Sequence, residues 1–311
     1  PGHERFPGSV AKLAAIYHDQ ILAAKTDKLP DAGRLADGVA ELRDRIAALD
    51  KKPGTGPEFK RDRAIAVWVL ARMAALASPD KLDEPIRLIK NEVLVENSLS
   101  APVRLRAAQY ALQWELKSGR AADAAKTVRD RFTSDSTALA TTLALHSPLE
   151  EGLTGAQRTA RVAAIEAASE VWLSRSDELS AKVKADLRLM TAEAFSAKGD
   201  SPSALRLLRR MRDESPRDAR VVRTLARISF ANGQIAEART QWESLLAGMR
   251  PGGEEWLQAV IGACRCYLKT NDFAKAAKIL EYVEKRYPKA GAEETRAEIA
   301  RIREQVRKGG K

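Results

Sequence analysis

Residues 192–216 read AEAFSAKGDSPSALRLLRRMRDESP, residues 226–251 read ARISFANGQIAEARTQWESLLAGMRP, and residues 264–288 read CRCYLKTNDFAKAAKILEYVEKRYP. The three stretches align on Gly199-Asp200, Gly233-Gln234 and Asn271-Asp272. Five residues after each turn residue stands an alanine (Ala204, Ala238, Ala276), and four further on a large apolar residue (Leu208, Trp242, Leu280). Seven before the turn lie the small residues Ala192, Ala226 and Cys264. Pro216 and Pro288 close the first and last copies, with Pro251 displaced by one in the middle copy. A repeat of this length means that one supersecondary unit is stacked on itself.

Each position has a physical reason. Gly or Asn at the turn can take the left-handed conformation that ends a first helix. Ser201 and Pro202 suit the cap and first turn of a second helix. Small residues let the two helices approach, the large residue wedges between neighbouring pairs, and the proline stops the second helix. A lone pair cannot bury its apolar face, so pairs must stack. Successive turns lie 34 and 38 residues apart, and the surplus four is assigned to the loop Arg250-Pro251-Gly252-Gly253-Glu254.

Outward from the repeat, helical periodicity continues. Val10, Leu13, Tyr17 and Ile21, then Leu35, Val39, Leu42, Ile46 and Leu49, fall three to four apart and read as an antiparallel hairpin over 1–50. Residues 51–59, with Pro53-Gly54-Thr55-Gly56-Pro57, read as a linker. Residues 60–180 read as a degenerate helical-repeat region. Its helices are marked by Ile65 to Leu76, Leu82 to Val93, Leu105 to Leu116, Ala124 to Phe132 and Val162 to Trp172; a looser helix is expected within 133–154. Residues 181–290 hold the repeats. Residues 291–311 form a capping helix, with Ile299, Ile302 and Val306 inward, and a basic tail. No segment alternates with period two, so strands are not expected.

Composition agrees. Of 311 residues 44% are apolar, 31% charged and 5% aromatic, a mix rich in helix formers and too apolar for disorder. No apolar run approaches the ~18 residues of a bilayer span, which reads as a soluble segment of either cytoplasm or bacterial periplasm. The chain opens at Pro1 rather than Met, as a processed fragment would. Cys264 and Cys266, two apart on a helix, point away from one another and cannot bridge. Of the 53 Lys and Arg, 27 fall in residues 181–311 beside 17 of the 42 Asp and Glu, so nearly all of the +11 net charge belongs to the C-terminal part. Such asymmetry points to an acidic partner, an anionic surface or nucleic acid.

The three-copy pattern resembles the tetratricopeptide repeat family, a helix–turn–helix of 34 residues, over 185–289, with a fourth copy around Gly119 and Ala124. The aromatic of the pattern, four before the turn, is Phe195 and Tyr267 but Ser229 in the middle copy, with Phe230 adjacent. The last copy is also similar to repeats of bacterial envelope-associated scaffold proteins. The resemblance implies an all-α, right-handed α-solenoid of stacked antiparallel helix pairs whose first helices line a concave groove for a partner segment. In that register Arg220, Arg223 and Arg227 share the groove side of one first helix, and Arg265 and Lys269 take matching or adjacent places in the next. Guanidinium forks pair with carboxylates or phosphates, so the expected partner is a protein or peptide that is acidic or ends in a carboxylate. Family members that clamp peptide C-termini use Lys and Asn where this chain has Leu189 and Glu193, a departure from that clamp.

The alternative is an anionic surface or nucleic acid bound by the Arg-rich C-terminal part. Arg206, Arg209, Arg210 and Arg212 lie on a second helix without interleaved aromatics, which gives no platform for base stacking. Chemistry is not legible. His3, His18 and His146 are scattered, and no phosphate loop, nucleophile elbow or His-Glu-x-x-His occurs. Neither cofactor nor metal is expected, and Trp68, Trp114, Trp172, Trp242 and Trp256 read as packing residues.

Overall fold

The computed structural model describes residues 32–51 and 56–309, without the side chains of residues 32–34 and 176. The stretch Val10 to Ile21, His3, His18 and residues 52–55 of the expected linker lie outside the described residues. Those described are all helix and turn, with no strand among them. They fall into two compact units, divided between Lys184 and Ala185.

In the first unit α1 (Ala32–Asp50) packs on α2 (Pro57–Ala77), which starts inside the span read as linker. Its proline sits in the first turn, where a missing N–H is harmless. A short α3 (Asp83–Leu88) runs into a π-turn (Ile89–Val93), followed by α4 (Ala101–Lys117) and α5 (Ala121–Arg131). The turn between α4 and α5 holds Gly119 at φ +76°. A β-carbon there would come within 2.8 Å of Ala156 Cβ, so glycine is needed both for conformation and for space. The loose helix expected within 133–154 is α6 (Ser136–Ala144), capped by the Asp135 side chain accepting from Ala138 N–H. α7 (Gly155–Trp172) opens on a capping box of Thr154 and Gln157 and packs against α5. Trp172 is buried and donates its indole N–H to Phe132 O at 2.7 Å. Buried Glu115 gathers Lys90 Nζ (2.9 Å) and Thr127 Oγ1 (3.1 Å), and so joins the π-turn, α4 and α5.

After α8 (Ala181–Ala197) come α9 (Ser201–Glu214), α10 (Ala219–Ala231), α11 (Ile235–Gly248), α12 (Glu254–Lys269), α13 (Phe273–Arg286) and α14 (Glu293–Gly309). The repeat positions do what their types demand. Ala192, Ala204, Ala226, Ala238, Cys264 and Ala276 are fully buried, and Leu208, Trp242 and Leu280 fill the space beside them. α11 packs on α10 and equally on α12, and α10 also touches α12, so the second helix of one pair is the floor of the next. One continuous apolar cluster runs from Val222 through Trp242 and Val260 to Val306. Trp242 shows the wedge directly: a β-carbon on Gly262 of α12 would lie 2.3 Å from its indole. α14 closes the stack through Ile299, Ile302 and Val306, its first turn acidic and its last basic.

The structure corrects two details. The cap of α9 is Asp200, whose carboxylate accepts from Ser203 N–H at 3.1 Å, so Ser201 and Pro202 occupy the first turn instead. Asp272 does the same for α13. The four-residue surplus of the last repeat is also not mainly a loop. α12 has 16 residues against 13 in α10, whereas the loop grows only from 215–218 to 249–253. Three of the four extra residues therefore lengthen a helix.

Candidate functional site

The first helices α10 and α12 of the second unit carry the expected arginines. Asp218 caps α10 by accepting from Arg220 N–H at 3.0 Å, which brings the Arg220 side chain back onto the same carboxylate. Its other nitrogen reaches Asp186 Oδ1 of α8 at 2.5 Å. One turn further, Arg223 Nη2 lies 3.1 Å from Glu255 Oε1 of α12 as an ion pair without hydrogen-bond geometry, and Arg223 Nε is likewise buried without a hydrogen-bond acceptor. In the next copy Arg265 Nη2 meets Glu298 Oε1 of α14 at 2.9 Å. The partners in these three pairs are 34, 32 and 33 residues apart, close to one repeat length. Each arginine thus ties one first helix to a neighbouring one.

Arg227 is exposed near the middle of α10. Lys269 is exposed in the last turn of α12 and makes no ion pair among the described residues. Arg220, Arg223 and Arg227 share one face of α10 by their spacing. Arg265 and Lys269, four apart, share one face of α12. The ladder of carboxylates was not legible beforehand, although an acid one repeat length from each arginine was its signal.

The second helix carries the other basic run. Arg209 donates twice to Glu237 (2.9 and 2.8 Å) and once to Gln234 Oε1 (2.8 Å), and Glu237 also accepts from Ser229 Oγ at 3.0 Å. This fork holds the Glu237 carboxyl below its ordinary range. It also accounts for Ser229 where the other copies have an aromatic: the middle copy closes that position with a polar node. In the last copy Tyr267 takes the same place, buried, donating its hydroxyl to Glu243 at 2.6 Å. Arg212 pairs with Asp213, and Arg206 donates to Ser203. The depression beside this run, about 810 Å3, is lined by Asp213 and Glu214 as well as by Arg206, Arg209 and Arg210.

Cys264 and Cys266 are free thiols, both buried, and burial pushes them up to about 12 and about 11. No cluster of three or more His, Cys, Asp or Glu among the described residues is placed to hold a metal ion. No described helix is long and apolar enough to cross a membrane.

Residues 195–251 match the sequence model of the tetratricopeptide repeat family. This stretch of the second unit is thus of the tetratricopeptide-repeat type, and repeats of this family are in general non-catalytic interaction scaffolds. Among solved structures, a tetratricopeptide repeat protein from Parabacteroides merdae is similar over 96% of this chain and 99% of its own, at 15% identity and a TM-score of 0.48. The C-terminal part of a TPR repeat-containing protein from Cytophaga hutchinsonii is similar over 91% of this chain and 98% of its own, at 14% identity and a TM-score of 0.46. PilF of Pseudomonas aeruginosa is similar over 97% and 99%, at 13% identity and a TM-score of 0.37. No curated protein matches.

Proposed function

We propose that this chain is a non-catalytic scaffold that holds an acidic segment of a partner protein on the first-helix face of its second unit. The observation that carries this reading is the set of Arg220, Arg223 and Arg265 on two successive first helices, each meeting a carboxylate about one repeat length away. The side chains of Arg220 and Arg265 are about half exposed, so those two pairs are individually weak, whereas Arg223 is more covered. A partner carboxylate exchanges for an internal one at little cost, while the internal partner keeps the guanidinium extended and in place. Arg227 and Lys269 extend the strip. Charged recognition of this kind sets orientation and on-rate, and it weakens with salt.

Affinity capture with the full chain, at low and moderate salt and with or without nuclease, tests the reading. Protein partners should survive nuclease and weaken with salt. They should be lost when Arg220, Arg223 and Arg227 are all replaced by Glu. Loss of every partner on nuclease treatment would instead assign the Arg-rich part to nucleic acid, and indifference to the triple substitution would remove the strip from the site.

A further inference from the structure

The first unit contains a groove that the repeat pattern does not account for. α2, α4 and α6 line a space of about 690 Å3, within the ~300–1,000 Å3 of clefts that hold ligands. Its walls are apolar at Leu35, Ala75, Leu82 and Trp114, and its rim carries Leu76 and Leu145, 41% and 68% exposed. Arg72 also lines it. This side chain is only 6% exposed, with its guanidinium 5.0 Å from the Tyr110 ring and 5.9 Å from that of Trp68.

Among the described residues no carboxylate and no hydrogen-bond acceptor meets Arg72. Among those residues Arg106 and Lys117 line the same groove without ion pairs, and no Asp or Glu lines it. The contrast with other buried charges is direct. Arg161 has the Ser147 carbonyl and Glu150, and Glu115 has Lys90. Two ring faces offset part of the cost of burying a guanidinium, but a buried charge normally has a counter-charge. Among the described residues this groove supplies none.

We propose that the groove receives a segment of a partner protein that seats an apolar side chain between Leu82 and Trp114 and places a carboxylate on Arg72. Charge complementarity selects the anion. A peptide fits better than a small amphiphilic acid because the apolar surface continues outward onto Leu76 and Leu145, which a molecule enclosed in the cavity leaves bare. Gln113, whose amide makes no hydrogen bond among the described residues, faces the same space and suits a peptide backbone. The site is separate from the arginine row of the second unit and does not depend on that reading.

The test is fluorescence anisotropy with the full chain and labelled synthetic peptides that combine Leu, Phe or Trp with Asp or Glu, beside Asn/Gln counterparts and sodium laurate as competitor. Acidic apolar peptides should bind, their neutral counterparts roughly tenfold more weakly or worse, and Arg72→Gln should abolish the difference. Because Arg72 is packed between rings, Leu145→Asp serves as a second variant at an exposed position. It should weaken the same peptides with the melting temperature unchanged. A photo-crosslinker on Leu145→Cys, to which labelling is directed because Cys264 and Cys266 are buried, should attach to the peptide. The proposal is overturned if no such peptide binds, if binding ignores both substitutions, or if laurate binds through Arg72 and no peptide does. Attachment of the crosslinker, without peptide, to residues 1–31 or to a second copy would overturn it equally.

Discussion

Gly262 and Trp242 carry the stacking of the second unit at the residue scale. The indole occupies the space where any side chain at 262 would begin, so Gly262→Leu should cost about 1–3 kcal/mol by overpacking. Trp242→Ala should cost about 3–5 kcal/mol through the cavity it leaves. Equilibrium unfolding of both variants checks this; a neutral Gly262→Leu would mean that the helices do not meet there. The two thiols offer a second check. Both are buried and pushed well above neutral, so a thiol reagent near neutral pH should react only as fast as the protein opens. Immediate labelling of either would contradict the burial of the α12 face. Trp242 was legible in the sequence because a large residue recurs at its position. Gly262 was not, since its smallness has meaning only once the neighbouring indole is placed.

At the scale of the element, the copies differ in how their second helices start. Asp200 and Asp272 cap α9 and α13, whereas Gln234 before α11 makes no cap bond. Gln234→Asp should therefore raise the melting temperature, and Asp200→Ala or Asp272→Ala should lower it. Six described carboxyls of this unit sit below their ordinary values, among them Asp200, Asp272, Glu237 and Glu254. Asp200 is held by its bond from Ser203, Asp272 by Lys275, Glu237 by Arg209, and Glu254 by Thr295. The depressed value means that folding favours the charged form. Their stabilisation is complete above the unfolded value near ~4, and it is lost as pH falls through the folded one. Acid titration of the melting temperature should show the loss beginning below pH ~4, and Glu237→Gln should flatten it. Among the described residues, helix existence was legible from periodicity. Where the last repeat's four extra residues went was not, because periodicity marks a helix without fixing its ends, and Pro251 and two glycines drew the surplus to the loop.

At the scale of the whole molecule, α10 to α14 share one apolar cluster, and the proposed function lies on the charged face of the first helices α10 and α12. From the sequence, Arg220, Arg223, Arg227, Arg265 and Lys269 are candidates by their positions on first helices, but the acids that tie three of them to neighbouring helices are not legible, since contacts about one repeat apart become visible only when pairs stack. The most direct measurement places a photo-crosslinker in turn at Arg227 and Lys269, on first helices, and at Arg210 and Lys278, on second helices, and captures the partner with the full chain. The account expects attachment from Arg227 and Lys269 that disappears when Arg220 and Arg223 are replaced by Glu. Attachment from Arg210 and Lys278 alone, untouched by those substitutions, would contradict it.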